Sequence, residues 1–279
     1  KIGIPEKIVS GTTQITRSPD RLLIAELTAS FLEKSGLLRD GATMQAGAGG
    51  TSLAIAVFVH EMLKKKGWKF RFGFGGSTKY MVDMLEEGQM GAILDAQAFD
   101  LDSVKSIEKN LNHIPYPVFN AYNYHSKGNL TTMMDIMILG ATEIDTNFNG
   151  NVVTHSDGLL LHGIGGWQNC LHARNVIIPV PLFRDRIPVI VDRVTTLCGP
   201  GELIDVIITE RGIAINPRRQ DLIDSVRGKG LPLVTIDELK ETAEKICGKP
   251  EKAAFDDRVV AAIKWVDGTV IDAVRKVKK

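Results

Sequence analysis

The pattern Gly-x-Gly-Gly occurs three times, at residues 47–50, 73–76 and 163–166. Each time an apolar or strand-like stretch or turn precedes it and a helix-compatible stretch follows it. Repeated junctions of this kind leave little choice of fold class. Strands alternating with helices of ten to fifteen residues read as parallel βαβ architecture, with helices covering a mainly parallel sheet.

The alternation is clearest in the first third. Ser18 and Pro19 mark a helix start, "DRLLIAELTASFLEKSG" carries an apolar face, and Gly36 stops it. A short strand "GATMQAG" leads into the loop at 46–50. The helix "TSLAIAVFVHEMLKKKG" that follows is apolar nearly all round, which predicts packing on more than one side. Trp68, Phe70, Phe72 and Phe74 then alternate with Lys69, Arg71 and Gly73 as a strand does, and residues 75–78 read as a loop before a helix.

Residues 113–129 are aromatic, proline-broken and without period, so they read as a long connection, a type of loop that often carries function. "MMDIMILGATEID" reads as one buried strand, and turns fall at Asn149-Gly150 and Asp157-Gly158. Asn216-Pro217 opens a helix. Thr235 to Glu238 form a capping box for another, which Gly248 ends. Asp267-Gly268, between two strand-like runs, signals a hairpin. No segment of disordered composition divides the chain.

Bulk properties exclude several classes. With 279 residues the chain buries a sizeable core, and 44% hydrophobic with 24% charged residues is an ordinary globular balance. A net charge of +1 offers no polycationic surface for nucleic acid. The three cysteines, Cys170, Cys198 and Cys247, are scattered, which fits a reducing compartment and argues against a zinc site. No apolar run approaches the roughly 18 residues of a membrane helix. The chain begins at Lys1 rather than methionine, which suggests a fragment or trimmed form.

None of the three glycine patterns continues as Gly-x-Gly-x-x-Gly, because Ser52, Thr78 and Gln168 hold the sixth positions, and none ends in Gly-Lys-Ser/Thr. Dinucleotide and P-loop readings therefore fail. Glycines let a backbone approach a ligand closely, and N–H groups backed by a helix N-terminus suit a phosphate or a developing oxyanion. In open α/β sheets such loops gather at the carboxyl ends of strands. The same glycines would also serve simple tight turns; three together favour a site.

"MMDIMILGATEIDTNFNGNV", "GIGGWQNCLHARNVIIPV" and "GPGELIDVIITERGIAINP" resemble the CoA-transferase superfamily. "NGNVVTHSDG", "GGWQNC", "PLFRDRIPVIVDRVTT" and "SLAIAVFVHEML" after "MQAGAGG" narrow the resemblance to the citrate lyase alpha-subunit family. It covers essentially the whole chain but only the C-terminal half of such a subunit. It implies a three-layer α/β/α fold with a mainly parallel sheet. Residues 1–279 would form a single CoA-transferase-like α/β domain, with the active site shared with a related N-terminal half.

Superfamily members that form a glutamyl thioester carry Ser-Glu-Asn-Gly where this chain reads "GFGGSTKYM", and no glutamate stands in that loop. The resemblance thus implies direct exchange, in which citrate displaces acetyl from an acyl-carrier-protein thioester. Gly49, Gly50, Gly75 and Gly76, with the hydroxyls of Ser77 and Thr78, would be the oxyanion donors. Gly163, Gly165, Gly166, Gln168 and Asn169 would hold the CoA-like prosthetic group of the carrier protein, or acetyl-CoA. Arg17, Lys79, Asn149, Asn151 and His155 are candidates for binding citrate, with Arg184, Arg186 and His162 as further loop residues. The implied partners are the gamma acyl carrier protein, the beta lyase subunit and the missing N-terminal half, in a cytoplasmic oligomer with no metal in this chain. A CoA-transferase with another carboxylate acceptor, or an effector-binding domain of the same fold without turnover, would carry the same broad signature.

Overall fold

The computed structural model describes residues 13–126, 129–251 and 253–278. Its internal contacts divide it into two compact units, Lys1–Leu139 with Ala173–Asn175, and Gly140–His172 with Val176–Lys279.

The first unit opens with α1 (Pro19–Lys34), which has its proline in the first turn, while the Ser18 hydroxyl turns to Asp20 instead of capping the backbone. Next come β1 (Thr43–Gln45), α2 (Gly50–Lys66), β2 (Phe72–Ser77), α3 (Lys79–Glu86), β3 (Ile93–Ala98) and α4 (Leu101–Lys109). β4 (His113–Pro115), α5 (Val118–Tyr122) and β5 (Ile136–Ile138) complete it. The strands lie in the order β5-β1-β2-β3-β4, every neighbouring pair parallel. α2 buries four consecutive residues, Leu53 to Ala56, and then Val59 and Leu63, so it is enclosed on more than one side as its composition predicts. α1 buries Ile24, Phe31 and Leu32 in the same core, with Phe70 and Phe74.

Two expectations shift here. The second Gly-x-Gly-Gly lies inside β2 rather than in a loop after it, and Phe70 makes only an isolated bridge to Met90. The spaces above its glycines are occupied by neighbours: a Cβ on Gly73 would meet Met81 and Met90, and one on Gly76 would meet the Phe99 ring. Residues 113–129 contain a strand and a short helix instead of one long connection; positions 127 and 128 lie outside the described residues.

The second unit contains β6 (Glu143–Asp145), β7 (Gly150–Asn151), α6 (Trp167–Cys170), β8 (Val176–Pro179), β9 (Phe183–Arg184), β10 (Ile187–Pro188) and β11 (Ile190–Val191). After these come β12 (Val206–Thr209), β13 (Gly212–Ile215), α7 (Gln220–Val226), α8 (Ile236–Cys247), β14 (Phe255–Lys264) and β15 (Val270–Val277). β8 and β12 pair in parallel, with β13 antiparallel on the far side of β12, and β6 lies between β11 and β7. Gly140 breaks the expected strand at 133–145 into β5 and β6. The helix after Asn216-Pro217 begins three residues later than Pro217, at Gln220. The Thr235–Glu238 capping box forms in both directions, Gly248 caps α8, and Asp267-Gly268 turns the β14–β15 hairpin. The third Gly-x-Gly-Gly is followed by a single turn of helix, not a full one. The fold is thus mixed α/β with a mainly parallel sheet.

Candidate active site

In the first unit the chain runs from β1 to β2, β3 and β4 on one side and returns to β5 on the other. The carboxyl end of β1 is where the strand order reverses, the usual location of a ligand crevice. The first glycine loop leaves from that end. Gly49 is the N-cap of α2, no side chain caps the helix, and its first turn holds no acidic residue. The unpaired N–H groups and the positive end of the helix dipole therefore meet whatever lies there. Glycine is favoured at position 50, where a Cβ would sit a tight 3.0 Å from both Gln14 O and Thr16 N. Thr16 N–H donates to Gly50 O at 3.2 Å, which holds the exposed Arg17 beside this helix end.

β2 ends next to that loop. Its pairing with β1 includes only Phe72 and Gly73, whereas its pairing with β3 continues to Ser77 through an irregularity between Gly75 and Gly76. Gly75 has φ +102, open only to glycine without strain. The structure gathers Gly49, Gly50, Gly75, Gly76, Ser77 and Thr78 at adjacent strand ends of one unit. The two hydroxyls are not alike, however. Ser77 is fully buried, and its Oγ donates to Asp95 Oδ2 at 2.9 Å. Thr78 is the buried N-cap of α3 without a side-chain capping bond. Lys79 N–H donates to Asp100, and its ammonium is held by Asp83 at 2.6 Å, a hydrogen bond that raises its pKa. Residues 73–78 include no carboxylate, cysteine or histidine, so no carboxylate or thiol nucleophile stands in this segment, and of its two hydroxyls that of Ser77 is committed to Asp95.

Two features here were missed in the sequence. Gln45, the last residue of β1, has a buried carboxamide oxygen with no hydrogen-bond partner. Asp95 and His113 are a buried pair, His113 Nε2 lying 3.3 Å from the oxygen that accepts from Ser77. The only advance signal was a polar residue within an otherwise apolar strand.

The remaining candidates belong to the second unit. The Asn151 side chain is spent on its own turn, donating to Glu143 Oε2 at 2.7 Å and to Thr154, and accepting from Val153 and Thr154 N–H. Asn149 donates to Asp145 and accepts from Gly201 N–H at 2.9 Å. Gln168 is buried and donates to Cys198 O at 2.8 Å, fixing the third glycine loop from within, while Asn169 lies in the turn of α6. Gly163 and His162 line an apolar cavity of about 430 Å³ with Leu160, Leu161, Ile164 and the β14–β15 hairpin, whereas Gly165, at φ +60, and Gly166 lead into α6. His155 and Arg184 line a separate cavity of about 250 Å³. Arg186 sits in the β9–β10 hairpin, where Asp185 (φ 46) and Arg186 (φ 67) form the two-residue turn. Cys170 is packed in the core, and burial pushes its thiol up to about 12.

Among the described residues no cluster of His, Cys, Asp and Glu is placed to hold a metal, and no helix is long and apolar enough to cross a membrane.

The family model for citrate lyase, alpha subunit, matches residues 1–277. The citrate lyase alpha chain of Klebsiella pneumoniae is 42% identical over 279 residues, covering 100% of this chain and 55% of that protein. A solved citrate lyase alpha subunit from Streptococcus mutans, in complex with citrate, superposes with a TM-score of 0.96 at 42% identity, over 100% of this chain and 55% of that one. RipA from Yersinia pestis, at 17% identity and a TM-score of 0.57 over 83% of this chain and 53% of its own, shares the fold alone. The chain spans about half the length of the curated relatives it matches. With the family model matched over nearly every residue, the chain belongs to the citrate lyase alpha-subunit family.

Proposed function

We propose that this chain is the C-terminal half of an acyl-exchanging alpha subunit, in which citrate replaces acetate on the thioester of an acyl carrier protein. The observation that carries the reading is the glycine-built end of β1 and β2, rich in backbone N–H groups and without a carboxylate or thiol nucleophile. A reaction that supplies its own nucleophile suits such a site. A citrate carboxylate oxygen attacks the acetyl carbonyl carbon, the C–S bond breaks, and the thiolate leaves a citryl–acetyl anhydride. The thiolate then attacks the citryl carbonyl, the anhydride C–O bond breaks, and acetate departs. No net proton is exchanged between substrates and protein.

What this requires of the protein is proximity and donors for two successive oxyanions. The N–H groups at Gly49, Gly50, Gly75 and Gly76, with the Thr78 hydroxyl, are our assignment for the donors. Ser77 is assigned to holding the strand end, because its proton is committed to Asp95. Arg17 and Lys79 are assigned to the citrate carboxylates; within the second unit, the loop at 163–169 is assigned to the prosthetic group of the carrier and His155 to a carboxylate. Carrier protein, lyase subunit and N-terminal half are the proposed partners, with acetyl-CoA as a soluble stand-in for the carrier thioester, in a cytoplasmic complex.

The test is transfer of acetyl from acetyl-CoA to citrate and to other di- and tricarboxylates, with this chain alone and with the complete subunit. Citrate-dependent turnover by the complete subunit supports the reading, and turnover by this chain alone removes the shared site. Preference for another acceptor such as succinate reassigns the enzyme, and binding without turnover points to an effector domain.

A further inference from the structure

We propose that Gln45 reads the hydroxyl group of the substrate, making the site selective for a 2-hydroxy carboxylate. The proposal rests on the reading of citrate as the acceptor. Gln45 ends β1 at the reversal of strand order and is only 8% exposed. Its Oε1 is buried with no donor within reach, and a half-turn of the carboxamide brings the oxygen to the position now held by Nε2, where a ligand can meet it. Buried carboxamides normally find partners, and others in this chain do. Asn175 donates to Asp135 O, Asn216 to Gly201 O and Ile204 O, Gln168 to Cys198 O, and Asn151 is saturated. Among the described residues, Gln45 has the only buried carboxamide oxygen left unmatched.

Its surroundings are built around this side chain. The β1–β2 pairing stops at Met44 and Gly73, one residue before Gln45, so the strand edges part where the carboxamide lies. On the facing strand Gly75 makes the room: a Cβ there would sit 3.0 Å from Gln45 Cγ and 3.6 Å from Nε2. The uncapped N-terminus of α2 begins five residues further on, at Gly50. A full-length helix start, two glycines and an orphaned, nine-tenths-buried amide therefore converge on one strand end.

A carboxamide carries an acceptor and a donor side by side, and a half-turn about its last torsion exchanges them. A carboxylate with a hydroxyl on the neighbouring carbon presents the complement: its O–H donates to Oε1 while a carboxylate oxygen accepts from Nε2. The central carbon of citrate has this arrangement. A tricarboxylate without the hydroxyl leaves Oε1 unmatched, and sites built to bond a hydroxyl reject analogues lacking it.

The experiment uses the complete subunit, wild type and Gln45→Met, with citrate and with propane-1,2,3-tricarboxylate, which is citrate without its hydroxyl. The expected result is a wild-type preference for citrate of at least about tenfold in kcat/KM, erased in Gln45→Met by a loss confined to citrate. The thermal midpoint of Gln45→Met should not fall, since the replacement removes an unmatched polar group and keeps the chain length. A citrate preference that survives in Gln45→Met overturns the proposal. If the wild type turns over neither acid, calorimetric binding of the two acids takes the place of turnover: a hydroxyl preference lost in Gln45→Met supports the role, and an unchanged one overturns it. Failure of the wild type to bind either acid overturns it together with the reading on which it rests.

Discussion

Ser77 Oγ and His113 Nε2 meet at one carboxylate oxygen, Asp95 Oδ2, at 2.9 and 3.3 Å, so a single buried side chain fastens β2 and β4 to the strand between them. Gln97 N–H occupies the other oxygen at 2.8 Å. The arrangement is internal bracing directly beneath the glycine-built strand end. Ser77→Ala is expected to lower stability by about 1 kcal/mol while leaving acetyl transfer within about twofold of wild type. Asp95→Ala should cost about 2–4 kcal/mol, because it strands two buried side-chain partners. Chemical denaturation beside the transfer assay checks both, and a large activity loss in stable Ser77→Ala would return its hydroxyl to the reacting centre.

The glycines differ by position in how far replacement disturbs the fold. Gly49 has φ −72 and open space where a Cβ would go, so Gly49→Ala should fold with a loss of about 0.5–1 kcal/mol from the poorer N-cap. Any fall in kcat beyond about tenfold in that variant reports crowding of the donors rather than unfolding. Gly76→Ala collides with the Phe99 ring and is expected to cost about 1–3 kcal/mol. Measured side by side, the two variants should differ chiefly in stability, with Gly76→Ala the less stable.

Asp135 links acid stability to the first unit. Burial opposes its ionised form, but the Thr43 N–H at 3.0 Å and the guanidiniums of Arg39 and Arg174 at 3.1 and 3.0 Å outweigh it and hold its pKa below the usual carboxylate range. A lowered folded-state pKa means stabilisation that is complete above the unfolded value of about 3.9 and lost as pH falls through the folded value. Asp135→Asn should therefore lose about 1–2 kcal/mol at neutral pH, discounted for the solvent exposure of both arginines, and should show a flatter acid limb below about pH 4. Denaturant midpoints between about pH 3 and pH 7 check this; parallel limbs in the two proteins would remove Asp135 from the account.

Thiol chemistry should be confined to one position. Burial raises the pKa of Cys170, to about 12, and also that of Cys198, and both are buried; Cys247 is the more accessible of the three. Native protein treated with a maleimide at neutral pH is expected to gain one adduct, at Cys247, and to keep its transfer activity. Peptide mass mapping identifies the site. Rapid labelling of Cys170 would mean that the core around α6 opens readily.

The elements legible in the sequence carried their signals locally. Pro19, the Thr235–Glu238 box and Asp267-Gly268 act within a turn of themselves, and the structure has each where the sequence puts it. β2 was misplaced because glycine favours a loop by propensity, whereas pairing with β3 as far as Ser77 holds the same residues extended. The β9–β10 turn at Asp185-Arg186 escaped notice because neither residue is a glycine despite both being left-handed. The candidate site was half legible. Glycine loops announce close backbone approach, but the Gln45 amide matters for the partner it lacks, and absence of a partner is a property of three dimensions.

The way β2 is filled also constrains how this chain can change over generations. Gly73, Gly75 and Gly76 have no side chains of their own, and the space is taken by Met81 and Met90, by Gln45 and by Phe99. At 73 and 76 the glycine and its occupant constrain one another, whereas at 75 a φ of +102 holds glycine whatever Gln45 does. An alanine at position 76 becomes tolerable only after Phe99 has shrunk, and a smaller residue at 99 opens a void until position 76 has grown. Substitutions here have a required order, and a lineage that takes them in the wrong order passes through a protein that folds poorly.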